Sequence, residues 1–128
     1  MSKNIIICGT TELSKTLKDR INNLYDVKGI YIDASQAYCI DAKTIFYHIK
    51  RADIIIVDLD VTKHSDSFET FFIAGLGKAY DKFVIGVQTD DYIRKHLYSI
   101  GYSDTFIMEL CDRVISYDNI LKDIGVLL

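Results

Sequence analysis

The sequence predicts an α/β protein built on a doubly wound parallel sheet of about five strands. Two observations support this class. Short apolar runs without polar alternation recur along the chain, which is typical of parallel strands covered on both faces. Segments with apolar residues at helical spacing separate those runs, and an alternating order of strands and helices favours a parallel sheet.

The first strand and helix are predicted from residues 4–24. Residues 4–8 form an apolar run that Gly9 closes, which indicates a buried strand. Thr10 or Thr11 can cap the helix that follows, because threonine hydroxyls accept hydrogen bonds from first-turn amides. The apolar residues at helical spacing in this segment are Leu13, Leu17, Ile21 and Leu24.

The middle of the chain predicts a strand, a helix and a second strand. Residues 27–32 mix valine, isoleucine and tyrosine, the residue types enriched in strands. A helix then starts at Asp41. Residues 53–59 contain Ile54, Ile55, Ile56 and Val57 in succession, so we expect a strand that is buried on both faces.

Residues 67–80 predict a helix, and one set of residues at helical spacing is expected to face the core. That set is Phe68, Phe71, Phe72, Gly75, Leu76 and Ala79. A glycine inside a helix costs about 1 kcal/mol relative to alanine. We therefore interpret Gly75, and Gly77 on another face of the helix, as points of tight helix–sheet or helix–helix contact.

The last part of the chain continues the alternation. Strands are predicted at residues 83–87 and 114–116, and helices at residues 90–100, 104–111 and 119–127. The complete order predicts a flavodoxin-like or Rossmann-like sandwich that forms a single domain over residues 1–128.

Composition excludes several classes of partner. The 128 residues are 49% apolar and 26% charged, which is ordinary for one globular domain. Net charge is −3, and lysine and arginine form no stripe along the sequence, so we expect no duplex nucleic acid partner. The apolar run after residue 4 is shorter than the ~7–15 residues of a signal peptide, and none approaches the ~18 of a membrane span. We expect no membrane partner.

Cysteine and histidine spacing predicts neither a disulfide framework nor a metal site. Cys8, Cys39 and Cys111 are an odd number without a C-x-x-C pair, which indicates buried reduced thiols in a cytoplasmic protein. Neither these cysteines nor the three histidines suggest a nucleophilic pair or a set of metal ligands. We expect no cofactor and no metal.

Three common phosphate-binding or phospho-accepting patterns are missing. The residues after the first strand, Cys8 to Thr11, match neither G-x-G-x-x-G nor the P-loop. A phospho-receiver domain would place an aspartate where Asp58 lies, but it also needs an acidic pair after the first strand. Cys8 and Gly9 occupy that place.

Asp58, Asp60 and Asp66 are the best candidates for contact with a ligand. They follow the most apolar strand, and open α/β sheets bind ligands beyond the carboxyl ends of their strands. Carboxylates there can accept hydrogen bonds from sugar hydroxyls. Alternatively, the loop is solvated and Asp66 or Ser67 caps the next helix; the two roles are compatible.

The segment over residues 52–86 resembles a known enzyme family. It contains an apolar strand, acidic residues at 60 and 66, the run Thr70-Phe71-Phe72, the pair Ala74-Gly75, and Lys82-Phe83-Val84-Ile85-Gly86. Thr89-Asp90 extends the match. In this pattern the segment is similar to nucleoside 2-deoxyribosyltransferases and related nucleotide N-glycosidases. The good match covers about a quarter of the chain.

The resemblance implies retaining glycosyl transfer, in which a glutamate attacks the anomeric carbon of the sugar. That glutamate falls on Ile73, whose side chain is a hydrocarbon. The family's strand-one tyrosine falls on Ile6 or Ile7, and the asparagine that reaches a neighbour's substrate falls on His96. Glu69, four residues before Ile73, is the nearest carboxylate that can act as the catalytic group; alternatively, it only interacts with the helix dipole.

These observations give one leading hypothesis and two alternatives. The leading hypothesis is a nucleoside- or nucleotide-binding protein whose glycosyl-transfer chemistry is lost or altered. Its binding residues would be Gly9, Thr10, Thr11, Asp58, Asp60, Asp66 and His96. The alternatives are an active deoxyribosyltransferase or nucleotide N-glycosidase that uses Glu69 or another carboxylate, and an interaction module that keeps only the scaffold. The resemblance also implies a homo-oligomer.

Overall fold

The computed structural model describes residues 3–9, 12–24, 27–33, 42–59, 67–88 and 110–127. These residues form a parallel sheet in the spatial order β2-β1-β3-β4-β5. The strands are β1 (Lys3–Gly9), β2 (Val27–Asp33), β3 (Ile54–Asp58), β4 (Phe83–Gln88) and β5 (Arg113–Ser116). The predicted α/β class with a parallel sheet is confirmed.

The described part of the chain contains four helices, which lie in two layers, one on each face of this sheet. They are α1 (Glu12–Leu24), α2 (Ala42–Arg51), α3 (Ser67–Ala79) and α4 (Tyr117–Leu127). Ile45 and Ile49 of α2 pack with residues of α3 and with Ile55 of β3 in one apolar core. A second core joins α1 and α4 to the other face of the sheet; its members include Leu17, Ile21, Ile54, Ile56, Ile120 and Ile124. The expectation of strands buried on both faces holds for β3, since each of its side chains is buried.

Hydrogen bonds fasten the amino-terminal edge of the sheet. The backbone amide of Asn4 donates to Asp53 Oδ2 over 2.8 Å, and the Asp53 amide donates back to the Asn4 carbonyl over 2.8 Å. Asp112 accepts from the Val84 amide over 2.8 Å and from Lys78 Nζ over 2.6 Å. Burial alone raises the pKa of Asp112, but the Lys78 and Val84 hydrogen bonds outweigh it and hold the pKa below its ordinary value.

Local hydrogen bonds fix two helix ends. α3 ends in a Schellman motif, in which the Lys82 amide donates to the Gly77 carbonyl over 2.9 Å and the Asp81 amide to the Lys78 carbonyl over 3.0 Å. Asp81 accordingly has a left-handed φ of 58°. α4 begins at Tyr117, two residues before the predicted start, and Asn119 Nδ2 donates to Ser116 Oγ over 3.0 Å at the strand–helix junction.

The predicted core face of α3 is wrong at Phe72, Gly75 and Ala79. Phe72 is 49% exposed and Ala79 is exposed. A Cβ added at Gly75 would meet no atom within 4 Å. Leu76 is half-buried and packs against the first core. The side chains of Phe68 and Phe71 lie outside the described part. The face that meets the sheet consists of Thr70, Ile73, Ala74 and Gly77.

Gly77, rather than Gly75, is the point of close contact. A Cβ at Gly77 would lie 2.6 Å from Ile55 Cδ1 and 3.2 Å from Val84 Cγ2. A helix can approach the sheet this closely only where it presents a small residue, so position 77 sets the depth of α3 on the sheet. The expectation of tight helix–sheet contact is confirmed at Gly77 and is wrong at Gly75.

Alanine at these two glycines should have opposite effects on stability. We expect Gly75→Ala to raise the free energy of unfolding by about 0.5–1 kcal/mol, because the site is open and alanine favours the helix. Gly77→Ala should lower it by about 1 kcal/mol net, because overpacking outweighs the same gain. Urea unfolding of both variants measures the difference, and equal stabilisation by both would contradict the packing role of Gly77.

Candidate functional site

The carboxyl edge of the sheet contains a topological switch point between β1 and β3. The chain leaves β1 for α1, which packs on one face, and leaves β3 for α3, which packs on the other. β1 also continues to β2 on one side, whereas β3 continues to β4 on the opposite side. In open α/β sheets this divergence leaves a crevice beyond the strand ends, and ligands bind there.

Gly9 and Asp58 are the residues at the strand ends that flank this crevice. The register pairs Cys8 with Val57, so the next residue on each strand is Gly9 on β1 and Asp58 on β3. Both are buried. Asp58 follows Ile54 and Ile56 in the strand alternation, so its side chain points to the layer that contains α1. The structure therefore places two of the predicted binding residues side by side.

Thr70 provides a buried hydroxyl on the other side of the same edge. Its side chain is 0% exposed, and its Oγ1 has no hydrogen-bond partner within the described part of the chain. Gly77 lies level with Ile55, and Thr70 is seven residues, or about 10 Å, closer to the start of α3. The same distance along β3 corresponds to about three residues, from Ile55 to Asp58, so Thr70 lies level with Asp58.

The direction of the Thr70 side chain also favours this edge. Every Cα–Cβ bond in a helix tilts toward the helix amino terminus, and α3 begins at the carboxyl edge of β3. The helical spacing of the phenylalanines in α3 assigns their face to the core and therefore predicts no role for Thr70. The set at positions 70, 73, 74 and 77 has the same helical spacing and contains the small residues that a close helix–sheet contact needs.

Ile73 is a core side chain. It is 1% exposed and belongs to the apolar cluster that includes Ile6, Cys8 and Val57. A carboxylate at this position would lose its hydration without gaining a charged partner among these residues. Ile6, one of the two positions onto which the family's tyrosine falls, lies in the same cluster, and Ile7 lies in the core on the other face.

Several predicted site residues lie outside the described part of the chain. These are Thr10, Thr11, Asp60, Asp66 and His96. The backbone of Glu69 lies in the first turn of α3, and its side chain also falls outside the described part. The described structure thus brings together Gly9 and Asp58 and adds Thr70.

The described cysteines are placed for packing rather than for nucleophilic chemistry. Cys8 and Cys111 are buried, as the sequence predicts, while Cys39 lies outside the described residues. Burial raises the pKa of the Cys111 thiol to about 12, and the charge of Asp112 contributes in the same direction. The Cys111 thiol is therefore protonated near neutral pH, and a thiol is a poor nucleophile.

The described residues show neither a cluster of metal ligands nor a helix that could cross a membrane. They contain no group of three or more histidine, cysteine, aspartate or glutamate side chains able to hold a metal ion. None of their helices has the length and apolar character needed to cross a membrane.

The described strands and helices define an α/β protein whose parallel sheet has a topological switch point between β1 and β3. No family model matches the sequence, and a search of curated proteins finds no significant match.

Removing the Thr70 hydroxyl should stabilise the ligand-free protein. A buried hydroxyl without a partner costs about 1–3 kcal/mol, and valine has nearly the same shape. We expect Thr70→Val to raise the free energy of unfolding by about 1 kcal/mol in urea titrations. The exposed helical residue Thr16 supplies the control, since Thr16→Val should change stability by less than about 0.5 kcal/mol. A destabilised Thr70→Val would mean that the hydroxyl has a partner.

Glutamate at position 73 should destabilise the fold. We expect Ile73→Glu to lower the free energy of unfolding by more than about 3 kcal/mol, because it buries a carboxyl group among hydrocarbon side chains. The control Ile73→Leu keeps the volume and should cost less than about 1.5 kcal/mol. Thermal unfolding at neutral pH measures both; a glutamate variant as stable as wild type would show that position 73 reaches water.

Proposed function

We propose that this chain is a nucleoside- or nucleotide-binding protein that resembles nucleoside 2-deoxyribosyltransferases, with the usual glycosyl-transfer chemistry lost or altered. The burial of Ile73 is the observation that carries the proposal. The resemblance assigns the attacking carboxylate to this position, and the side chain there is a hydrocarbon packed in the core. A double displacement at the anomeric carbon needs a nucleophile, so it cannot proceed through residue 73.

The binding part of the proposal rests on the carboxyl edge. The strand order β2-β1-β3-β4-β5 is the flavodoxin-like order, in which ligands occupy the switch point between β1 and β3. We accordingly propose a flavodoxin-like sandwich. Gly9 leaves room for a ligand to approach the backbone, and Asp58 is an acceptor for hydroxyl groups. Thr70 supports the same placement, because a bound ligand would give its hydroxyl a hydrogen-bond partner.

The remaining contacts are proposed from the sequence. Thr10 and Thr11 follow Gly9 and would donate hydroxyl and amide hydrogens to the ligand. Asp60 and Asp66 follow β3 and would accept hydrogen bonds from the sugar. His96 would approach from the crossover after β4. We also propose a cytoplasmic location, which the buried thiols of Cys8 and Cys111 support.

An active enzyme is the second candidate function. Glu69 lies four residues before Ile73, so it is on the same side of α3 and one turn nearer the carboxyl edge. A carboxylate there can replace the missing nucleophile if it reaches the anomeric carbon. The reaction would be deoxyribosyl transfer between bases or hydrolysis of the N-glycosidic bond.

An interaction module is the third candidate. The half-exposed ring of Phe72 and the open surface at Gly75 give α3 an apolar outer side. Such a side suits contact with another protein, including a second copy of this chain, as the resemblance to oligomeric enzymes implies. Sedimentation would report such a homo-oligomer.

A thermal-shift and product assay separates these functions. Deoxynucleosides and their monophosphates are added to the protein, and both the melting temperature and the release of free base by chromatography are measured. The binding function predicts a shift without base release; ligand at 100 times its Kd adds about 2.7 kcal/mol of stability. Asp58→Asn should reduce that shift, because it weakens acceptance from the sugar hydroxyls.

The other outcomes are equally distinct. Base release that disappears in Glu69→Gln would establish the enzyme and overturn the loss of chemistry. The absence of any shift across the panel would reject nucleoside binding and favour the interaction module. Asp53→Asn is the control for Asp58→Asn, because Asp53 lies at the opposite edge of the sheet.

A further inference from the structure

Cations that are scattered in the sequence meet at the amino-terminal edge of the sheet. Lysine and arginine form no stripe along the chain, yet parallel strands all start at one edge and the preceding helices end there. This arrangement gathers six described cations: Lys3, Lys50, Arg51, Lys78, Lys82 and Arg113. At the opposite edge the described strands end in Gly9, Asp33, Asp58, Gln88 and Ser116, and the described cations there are Lys15 and Lys43 in the first turns of α1 and α2.

Three of these cations form a continuous surface with two tyrosines. The surface consists of Lys50, Arg51, Lys82, Tyr47 and Tyr80, and we call it the cation–tyrosine surface. Lys82 Nζ donates to the Lys50 carbonyl over 2.8 Å, which joins the ends of α2 and α3. Lys50 Nζ lies 5.7 Å from the ring centre of Tyr80, and Arg51 Cζ lies 5.2 Å from that of Tyr47. Both distances fall within the cation–π range.

The positive charge of this surface is not neutralised within the described residues. No described carboxylate lies within ion-pair distance of Lys50, Arg51 or Lys82. Of the acidic residues that the structure describes at the same edge, Asp53 binds the Asn4 amide and Asp112 binds Lys78 and the Val84 amide. The remaining one, Asp81, is exposed in the turn after α3. A chain with net charge −3 thus presents a locally basic surface.

The tyrosines on this surface remain accessible. Tyr47 is 55% exposed and Tyr80 is 39% exposed, although each ring contacts a cation. Exposed rings interleaved with lysine and arginine are the arrangement by which proteins hold single strands, with bases on the rings and phosphates on the cations.

We propose that the cation–tyrosine surface binds single-stranded nucleic acid. Lys50, Arg51 and Lys82 contact backbone phosphates, and Tyr47 and Tyr80 stack on bases. A duplex hides its bases from such rings, and carboxylate side chains offer no flat ring to stack, so the exposed tyrosines favour the single strand among anionic partners. The surface lies at the opposite edge from the candidate nucleoside site, so this binding is independent of the proposed function.

Fluorescence anisotropy with labelled single strands tests the proposal. The probes are fluorescein-labelled oligo-dT and oligo-rU of about 12 nucleotides, a length within the range of known single-strand sites. Three phosphate contacts predict a slope of about −2 for log affinity against log salt. Raising the salt from about 50 to 200 mM should therefore weaken binding about 20-fold.

The charge variant has a control of matched composition. Lys50→Gln with Arg51→Gln should leave one phosphate contact, with a slope near −0.7 and about 3-fold weakening over the same salt range. Arg20→Gln with Lys122→Gln removes the same two residue types from exposed positions on α1 and α4, on the other face of the sheet. That control should bind like wild type.

The stacking variant separates the ring from the charge. Tyr47→Leu keeps an apolar side chain but removes the stacking surface, and should weaken binding about tenfold at an unchanged salt slope. Lys50 and Arg51 lie in the last turn of α2, where cations stabilise the helix dipole, so they could have a purely structural role. The affinity of Tyr47→Leu distinguishes that role from recognition. A structural role alone would lower the melting temperature of the charge variant without changing the affinity of Tyr47→Leu for the oligonucleotide.

Four outcomes would overturn the proposal. They are no binding of either oligonucleotide at the lower salt, equal weakening by the control pair, tighter binding of a duplex of the same length, and displacement of the oligonucleotide by poly-glutamate of equal charge. The last result would indicate a general acidic partner, such as an acidic protein segment.

Discussion

The parallel pairing of β1 with β3 is the constraint on which the rest of the molecule depends. Ile5 to Cys8 lie against Ile54 to Val57 in register, and these residues are buried on both faces of the sheet. Side chains along each strand alternate between the two apolar cores. A shift of one residue would move every side chain to the opposite core, so the burial of both faces fixes the register. The chain leaves these two strands toward opposite faces of the sheet, since α1 packs on one face and α3 on the other. This divergence is the switch point at which the candidate site lies.

The strands and the class of the fold were predictable from the sequence, because short continuous runs of β-branched residues are typical of parallel strands buried on both faces. The orientation of α3 was not. Its residues are apolar on most of the helix surface, so periodicity alone selects no face. The orientation depends on contact distance: Ala74 and Gly77 let the helix backbone approach β3 and β4, whereas a side chain as large as Phe72 would hold it away.

The site was predictable in its position and less so in its members. Placing Asp58 at the carboxyl edge needs only the end of an apolar strand and the rule that ligands bind beyond it. Its neighbour Gly9 follows from the register, which is a pairing between residues 49 positions apart and has no local signal in the sequence. Predicting Thr70 as a site residue needs the correct face of α3. Predicting that Lys50, Arg51 and Lys82 lie together needs the contact between the ends of α2 and α3.

The thiols of Cys8 and Cys111 give the protein two internal reporters of its own opening motions. Cys8 belongs to the interior strand β1, whereas Cys111 precedes the edge strand β5 and lies near Gly86 and Leu59. A thiol reagent can reach either sulfur only when the surrounding layers separate, so alkylation rates read the free energy of exposure at each place. Since edge strands generally open before central ones, Cys111 should be labelled during partial openings that leave Cys8 protected.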